Sequence, residues 1–454
     1  MAEPNPKLGL TAAVAMVLGN IVGVSIFLVP ATVASHLPWT GWFIAAWVLG
    51  GLLALVGALC LGELGAMLPE AGGDYLYLRR AFGDRTAFLS GWTSVAITFP
   101  GSIAAMAVAL CFYNLPAFLG PWVTQPVLRL PLGSYVHVIT WAQLLGIGVL
   151  LLLTAVNHVG VRVAGWLQTA ITAAPVLLML TARVVAIFVT PSGPAPAAVV
   201  DAAAKSPLSG LWPAIIPIFF AYAGWNVSTY FGGEIDKPGR NLPLSLLLGT
   251  SLAIVVYLVT CFVFLRGVPV EAMPSSKIFV PFVAVTRLYG SWAGPVLNGV
   301  IVLAVLSSIN ATIFAGARIG YAMAGHGLAF PALRRTSPRF GTPATALWVQ
   351  AGIAIVLVLS GRFEQLVGYV VTVMMIFSAV TVYAVYQLRF REPDLERPYR
   401  VFGYPFTPAL FILFSIAVVV AQTAAQPVIV GWGVAITALG LPLYELMRRR
   451  ARAA

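Results

Sequence analysis

Eleven stretches of this chain, each of about 20 residues or more, contain no Asp, Glu, Lys or Arg. They run 8–34, 39–62, 86–113, 130–157, 163–182, 206–233, 241–265, 288–317, 343–361, 365–388 and 401–444. A helix needs roughly 20 apolar residues to cross about 30 Å of hydrocarbon. The last stretch is long enough for two crossings, with a turn available between Gln422 and Pro427, so the pattern predicts twelve membrane-spanning helices. Only 9% of the residues are charged and 60% are hydrophobic, against about 25% charged in soluble domains. There is too little polar surface for water, and the bilayer is the partner. Membrane β-barrels are built from short alternating segments, which these runs are not.

The formal net charge of +12 could indicate nucleic acid, but the distribution of basic residues argues against it. With both termini placed inside, inner loops and ends hold 19 Lys and Arg and outer loops 6; Arg183, within a span, is left out. The excess of cations on cytoplasmic loops explains the charge and predicts a multi-pass protein of the cytoplasmic membrane with both ends in the cytoplasm. The first seven residues carry no cleavable leader pattern, so span 1 is expected to start insertion. Cys60, Cys111 and Cys261 all fall within spans and read as small buried hydrophobes. No histidine or carboxylate cluster has metal-ligand spacing, and there is no phosphate-binding glycine loop.

Two spans carry internal breakers. Span 1 reads G-N-I-V-G-V-S-I-F over Gly19 to Phe27. Span 6 reads F-F-A-Y-A-G-W-N over Phe219 to Asn226, with Pro213 and Pro217 upstream. These are the first spans of two five-span halves, 1–190 and 206–388, with 401–447 left over for two more. Five is odd, so the halves run in opposite directions. Interrupted helices at matching positions of two such halves point to a carrier with a site at the membrane midplane.

Unwinding frees backbone N–H and C=O groups, which the membrane tolerates only where they line a cavity or are buried in protein. Freed N–H groups at a half-helix start favour a carboxylate. Freed carbonyls at the end of the other half favour an ammonium or a metal cation. A zwitterionic α-amino acid offers both charges. The breaks at Gly23 and Gly224 therefore assign the Val24 and Ser25 amides to the carboxylate, and the carbonyls of Ile21, Phe220 and Ala223 to the amino group.

Five segments in order, G-N-I-V-G-V-S-I-F, the Gly62–Leu78 run G-E-L-G-A-M-L-P-E-A-G-G-D-Y-L-Y-L, F-A-Y-A-G-W-N with G-E-I-D-K-P-G-R-N-L-P, S-S-I-N-A-T-I-F-A-G-A-R from Ser307, and R-P-Y-R-V-F-G-Y-P from Arg397, together resemble the amino acid–polyamine–organocation superfamily. They are most similar to bacterial relatives of the L-type amino acid transporters. The resemblance covers nearly the whole chain. It implies an all-α LeuT-type fold of five-plus-five inverted repeats with spans 1 and 6 broken, and a secondary carrier or exchanger of amino acids. It implies further that Phe220 gates the substrate, Ser102 after Pro100 lines the pocket, and Asn226 braces the unwound part of span 6. Against the family pattern, Ser25 stands where the break usually has its second glycine, and Pro175 stands where many proton-linked or exchanging relatives carry a span 5 lysine. A lysine-based coupling is therefore not expected.

Sodium or a proton remains the candidate coupling ion. Position by position, similarity to LeuT-type sodium symporters implicates the carbonyls of Gly19, Val22 and Ala304 and the hydroxyls of Ser307 and Ser308, five neutral oxygens suited to a monovalent cation. The alternative for the serines is small-residue packing, with sodium-independent exchange or facilitated diffusion as the consequence. Glu63 and Glu70, near the inner end of span 2, are expected to fold the inner loop or gate. The central parts of spans 1, 3, 6, 8 and 10 hold no Asp or Glu to pair a cationic side chain, so neutral amino acids are expected over lysine, arginine or polyamines. A cationic amino acid or polyamine antiporter and a non-transporting sensor are the alternatives. A sensor would need a signalling module that no loop provides, and a membrane enzyme would need acidic or histidine side chains that the spans nearly lack.

Overall fold

The computed structural model describes residues 8–132, 135–193, 196–197, 206–274, 279–360 and 363–453. Of the charges used above to orient the chain, Lys7, Lys205, Lys277 and Arg362 lie outside the described residues.

Almost every apolar run becomes a helix at the predicted place. Span 1 is a pair of helices, Leu10–Ile21 and Ser25–His36, meeting at 44°. Span 2 is Thr40–Met67, span 3 Asp84–Leu119, span 4 Trp141–Val159 and span 5 Val161–Phe188. The second half contributes Pro207–Ala221, Pro238–Gly267, Ala293–Gly325, Ala344–Ser360 and Phe363–Arg391, followed by Phe406–Ala425 and Pro427–Ala453. Among the described residues, nine helices have the length and apolarity to cross a bilayer unaided. The bent pair of span 1 makes a tenth, and the shorter apolar helices Pro207–Ala221 and Ala344–Ser360 stand at the sixth and ninth positions. The connection before span 8 forms the short helix Val280–Tyr289.

Span 4 starts later than its charge-free run. Residues Pro126–Leu132 and Tyr135–Thr140 form an antiparallel pair, β1 and β2. The reason is local: Tyr135-Val-His-Val-Ile-Thr140 is rich in β-branched residues, and Pro131 breaks a helical reading. The helix begins only at Trp141, where Thr140 and Gln143 form a reciprocal capping box. His137 accordingly belongs to β2.

Span 3 is wound irregularly, with wider π-helical turns at Ser94–Thr98 and Leu110–Asn114 either side of the segment holding Pro100 and Ser102. Such turns occur often at functional sites. Span 7 packs along span 2 and against the first half of span 1, and span 8 crosses spans 1, 3 and 5. The broken segments of spans 1 and 6 are thus packed against spans 2, 7 and 8. Cys60, Cys111 and Cys261 are buried and free.

Candidate functional site

The span 1 break occupies Val22 to Val24. The Val22 N–H still reaches back to the Leu18 carbonyl (2.8 Å), and the Gly23 N–H turns to that of Ile21 (2.8 Å). The next helix starts at Ser25, and the Val24 and Ser25 amides donate to no carbonyl among the described residues. Both residues are half-buried, whereas Ile21, Val22 and Gly23 are buried. Two donors therefore stand open at a helix start within the protein interior.

The span 6 break lies slightly downstream of the position read from sequence. The helix runs through Ala221, so Phe220 sits in its last turn instead of opening the break. Pro213 and Pro217 are inside this helix without ending it. The chain unwinds over Tyr222 to Asn226 and continues as a tight turn of 3-10 helix at Val227–Tyr230. Gly224 has φ +107°, and a Cβ there would come within 2.8 Å of Asn20 Nδ2 and 3.0 Å of Asn20 Cγ. Only a glycine lets the span 6 break touch the last turn of the helix before the span 1 break. Phe220, Ala223 and Gly224 are half-buried. Ser102 is half-buried too, and its hydroxyl makes no hydrogen bond among the described residues. Asn226 is buried and donates to the Tyr230 hydroxyl (3.1 Å).

Two of the three carbonyls assigned to an amino group are already engaged. That of Phe220 accepts from the Ala223 N–H (3.0 Å). That of Ile21 accepts from Gly23 and also from the hydroxyl of Tyr257 on span 7 (2.7 Å). A carbonyl has two lone pairs, so Ile21 is saturated in this structure, contrary to the open acceptor expected from sequence.

Across residues 8–443 the chain matches the family model described as amino acid permease. This chain belongs to the amino acid permease family. It is 31% identical over 445 residues to the Asc-type amino acid transporter 1 of Mus musculus, covering 97% of this chain and 81% of that protein. It is 28% identical over 448 residues to the serine/threonine exchanger SteT of Bacillus subtilis (strain 168), covering 98% and 97%. The large neutral amino acids transporter small subunit 2 of Oryctolagus cuniculus is 28% identical over 447 residues, covering 97% and 80%. Permeases carry amino acids across membranes, and the chain is a transporter rather than an enzyme.

In this permease the two hydroxyls suggested for sodium, those of Ser307 and Ser308, are already hydrogen-bonded. The Ser307 hydroxyl lies 2.7 Å from Thr172 Oγ1 and accepts from Gln168 Nε2 (2.8 Å); that amide also reaches Thr172 Oγ1 (3.1 Å). The three polar atoms crowd Gly19, where a Cβ would lie 2.2 Å from Gln168 Nε2 and Ser307 Oγ. Ser308 donates to the Asn20 carbonyl (3.1 Å), and Thr312 to Asn20 Oδ1 (3.0 Å). Ala304 is buried in unbroken helix. From the sequence the serines are expected as ion ligands or as small packing residues. Instead they tie span 8 to spans 1 and 5. The network continues from Gln168 Oε1 to Asn310 and Asn157. Polar amides deep in apolar spans were the visible signal, but sequence alone does not pair them. Pro175 is buried within span 5.

Beyond the span 6 break the chain is held by main-chain bonds. Leu8 donates to the Glu234 carbonyl (2.6 Å) and accepts from the Asp236 N–H (2.9 Å), and Gly72 donates to that of Tyr230 (3.0 Å). Segment 230–236 is thereby held between the chain start and the loop after span 2. Arg318, fully buried on span 8, forks onto both oxygens of Glu234 (2.9 and 2.8 Å) and lies 3.5 Å over the Phe314 ring. Asp74, at the start of the short helix Asp74–Phe82, accepts from Tyr230 (3.0 Å) while its other oxygen is buried without a partner. Burial pushes its carboxyl up to about 6, against the lowering effect of the Tyr230 hydroxyl. Glu63 is fully buried and bound by Arg389, which accords with a loop-folding role. Arg183 packs over the Phe262 ring, 5.4 Å away.

Proposed function

We propose that this permease exchanges or carries small neutral amino acids across the cytoplasmic membrane by alternating access. Span 1 and span 6 hold the substrate between them. The observation that carries this reading is the span 6 break at Gly224 meeting Asn20, in the last turn before the span 1 break, with the open Val24 and Ser25 amides on one side and half-buried Phe220 and Ala223 on the other. Converging amides at a helix start receive the carboxylate. Carbonyls at the ends of the preceding half-helices receive the ammonium. Gly23 and Gly224 leave the backbone accessible, Ser102 offers its unpaired hydroxyl to the bound substrate, Asn226 braces the unwound strand, and Phe220 closes over it.

The halves 1–190 and 206–388 are the units that move against each other, and 401–447 lies outside the repeat. With the basic loops in the cytoplasm, both termini are cytoplasmic, and segment 230–236 closes the cytoplasmic side. The state described is therefore shut towards the inside. A relative described as a serine/threonine exchanger, aligned over nearly its whole length, supports the choice of small neutral substrates, and so does the lack of a carboxylate in the central parts of the lining spans. The Gln168 amide at Ser307 favours sodium-independent exchange over the sodium-bound reading of Gly19, Val22, Ala304, Ser307 and Ser308.

The test is uptake of labelled alanine, serine and leucine into liposomes holding the pure protein and preloaded with unlabelled serine. Saturable uptake that depends on the internal amino acid is expected, with arginine and polyamines competing poorly. Stronger competition by arginine than by serine would overturn the neutral reading, and uptake equal to that of empty liposomes would overturn transport itself.

A further inference from the structure

A cavity of about 730 Å³ lies between spans 2 and 7 and the loop that follows span 10. Leu59 of span 2 and Leu244 and Leu247 of span 7 form its apolar wall, Lys237 and Arg240 at the start of span 7 form its rim, and Tyr399 closes the far side. The charge-free run of span 2 ends at Gly62, and that of span 7 begins beside Arg240; both of these residues line the cavity. It therefore straddles the boundary between the hydrocarbon and the headgroup layer. The apolar wall continues into the bilayer as exposed side chains, Leu248 one turn from Leu244 and Leu52 two turns from Leu59.

The rim carries charge of one sign. Among the described residues no Asp or Glu lines the cavity. Lys237 and Arg240 are exposed and form no ion pair there, not even with Asp236 next in sequence. Lys237 also has φ +45°, the one positive value among the described residues other than glycine. A left-handed backbone is uncommon in a residue with a Cβ, Asn and Asp apart, and such strain is kept where something else needs the residue. The turn itself does not need a lysine. It is pinned by its main chain, with the Asp236 N–H donating to the Leu8 carbonyl (2.9 Å) and the Lys237 carbonyl accepting from Arg240 (3.0 Å) and Asn241 (2.9 Å). A glycine would take this conformation without strain. What the lysine adds is an ammonium at the mouth of the cavity.

We propose that this cavity binds an anionic phospholipid of the surrounding bilayer, with the phosphate held between Lys237 and Arg240 and an acyl chain laid along Leu59, Leu244 and Leu247. Each half of the cavity asks for a different part of that molecule. Basic side chains beside a membrane helix attract anionic headgroups, and charge-assisted bonds to phosphate are the strong ones. A zwitterionic lipid would fill the apolar wall but bring a third cation to the rim. A small soluble anion would meet the cations and leave the wall empty. The inference goes beyond the transport reading and does not rest on it, because it needs only that the chain lies in a bilayer.

In the experiment, purified protein in detergent micelles is titrated with phosphatidylglycerol and, separately, with phosphatidylcholine. Bound lipid is counted by native mass spectrometry, and melting is followed in the same samples. Wild-type protein is expected to bind one phosphatidylglycerol about tenfold or more tighter than phosphatidylcholine, one factor of about five for each rim cation, and to melt higher with it. The double variant Lys237→Gly, Arg240→Gln is expected to lose that preference and keep its phosphatidylcholine binding. Lys237→Gly alone is expected to weaken phosphatidylglycerol about fivefold while melting at or above wild type without lipid, since the strain is gone. That single variant decides the matter should the double one fail to fold, and unchanged binding by it would overturn the proposal. The control Arg335→Gln, Arg449→Gln removes two exposed cations that do not line the cavity and is expected to bind as wild type does. A loss there equal to that of the rim variant would show diffuse attraction and overturn the site. Equal binding of the two lipids by wild type would overturn it as well. Glycerophosphoglycerol, the headgroup without its tails, is expected to leave the lipid in place; displacement by it at the lipid's own concentration would overturn the assignment to a lipid.

Discussion

Gln168 on span 5 donates a side-chain proton to the hydroxyl of Ser307 on span 8, at 2.8 Å and fully buried. Through the same amide, spans 5 and 8 reach the first half of span 1, where Gly19 leaves them room. A neutral amide thereby makes the cross-link between spans 1 and 8 that a cation would otherwise make.

Replacing sodium by choline at fixed pH should leave uptake unchanged, in wild type and in the Ser307→Ala, Ser308→Ala double variant alike. The double variant should still transport more slowly, because it loses the bonds to Gln168 and Asn20. Gln168→Leu should lower stability by about 1–3 kcal/mol, since it strands the buried amide of Asn310 and the Thr172–Ser307 pair; thermal unfolding in detergent measures this. A sodium requirement in wild type would reinstate the ion site.

Phe220→Ala should cut the transport rate by about tenfold or more and change the folded yield little. The side chain is half-buried in the last turn before the span 6 break, so its loss costs less packing than a fully enclosed ring would. Initial rates and size-exclusion profiles taken on the same preparation separate the two effects. An unchanged rate would return Phe220 to core packing.

Glu63→Gln should destabilise the protein by about 3 kcal/mol. The carboxylate holds both prongs of Arg389 (2.8 and 2.6 Å) and the Val401 amide (2.6 Å), so neutralising it leaves a partly buried guanidinium without its counter-charge. The melting temperature reads the loss. Binding of amino acids by the protein that remains folded should be unaffected.

Asp74 gives a pH dependence of definite sign. Its carboxyl is raised to about 6 in the fold, from an ordinary value of 3.8. The fold therefore binds the proton more tightly than the unfolded chain does. This contribution grows as pH falls through about 6, is complete below the unfolded value, and amounts to about 3 kcal/mol. The protein should melt higher at pH 5.5 than at pH 7.5, and Asp74→Asn should flatten that difference. A wild-type melting temperature that falls over the same interval, or a variant that keeps the full difference, would contradict it.

Much of this architecture is legible in the sequence because the bilayer enforces it. Runs without charge fix the spans, and glycines with a polar neighbour mark the break of span 1. The break of span 6 is less sharply marked, since Pro213 and Pro217 advertise an earlier interruption that neighbouring spans absorb. The strands at 126–140 escape notice because absence of charge does not distinguish helix from strand; the β-branched run Tyr135 to Thr140 was the available cue. The contacts of Tyr257, Gln168 and Asn20 join residues far apart in sequence. A single chain read alone shows that each polar group sits in a span and must find a partner, but not which partner it finds.

The clamp on segment 230–236 is made largely of backbone-to-backbone hydrogen bonds, from Leu8 on one side and Gly72 on the other. Such bonds do not depend on side-chain identity. Point substitutions along the clamp therefore leave its main-chain bonds in place and cost only the side-chain bonds of Tyr230 and Glu234 where they touch them, whereas the loss or gain of one residue at 8–10 or 68–72 shifts every pairing by a step. Evolution of this clamp is constrained in length as much as in spelling.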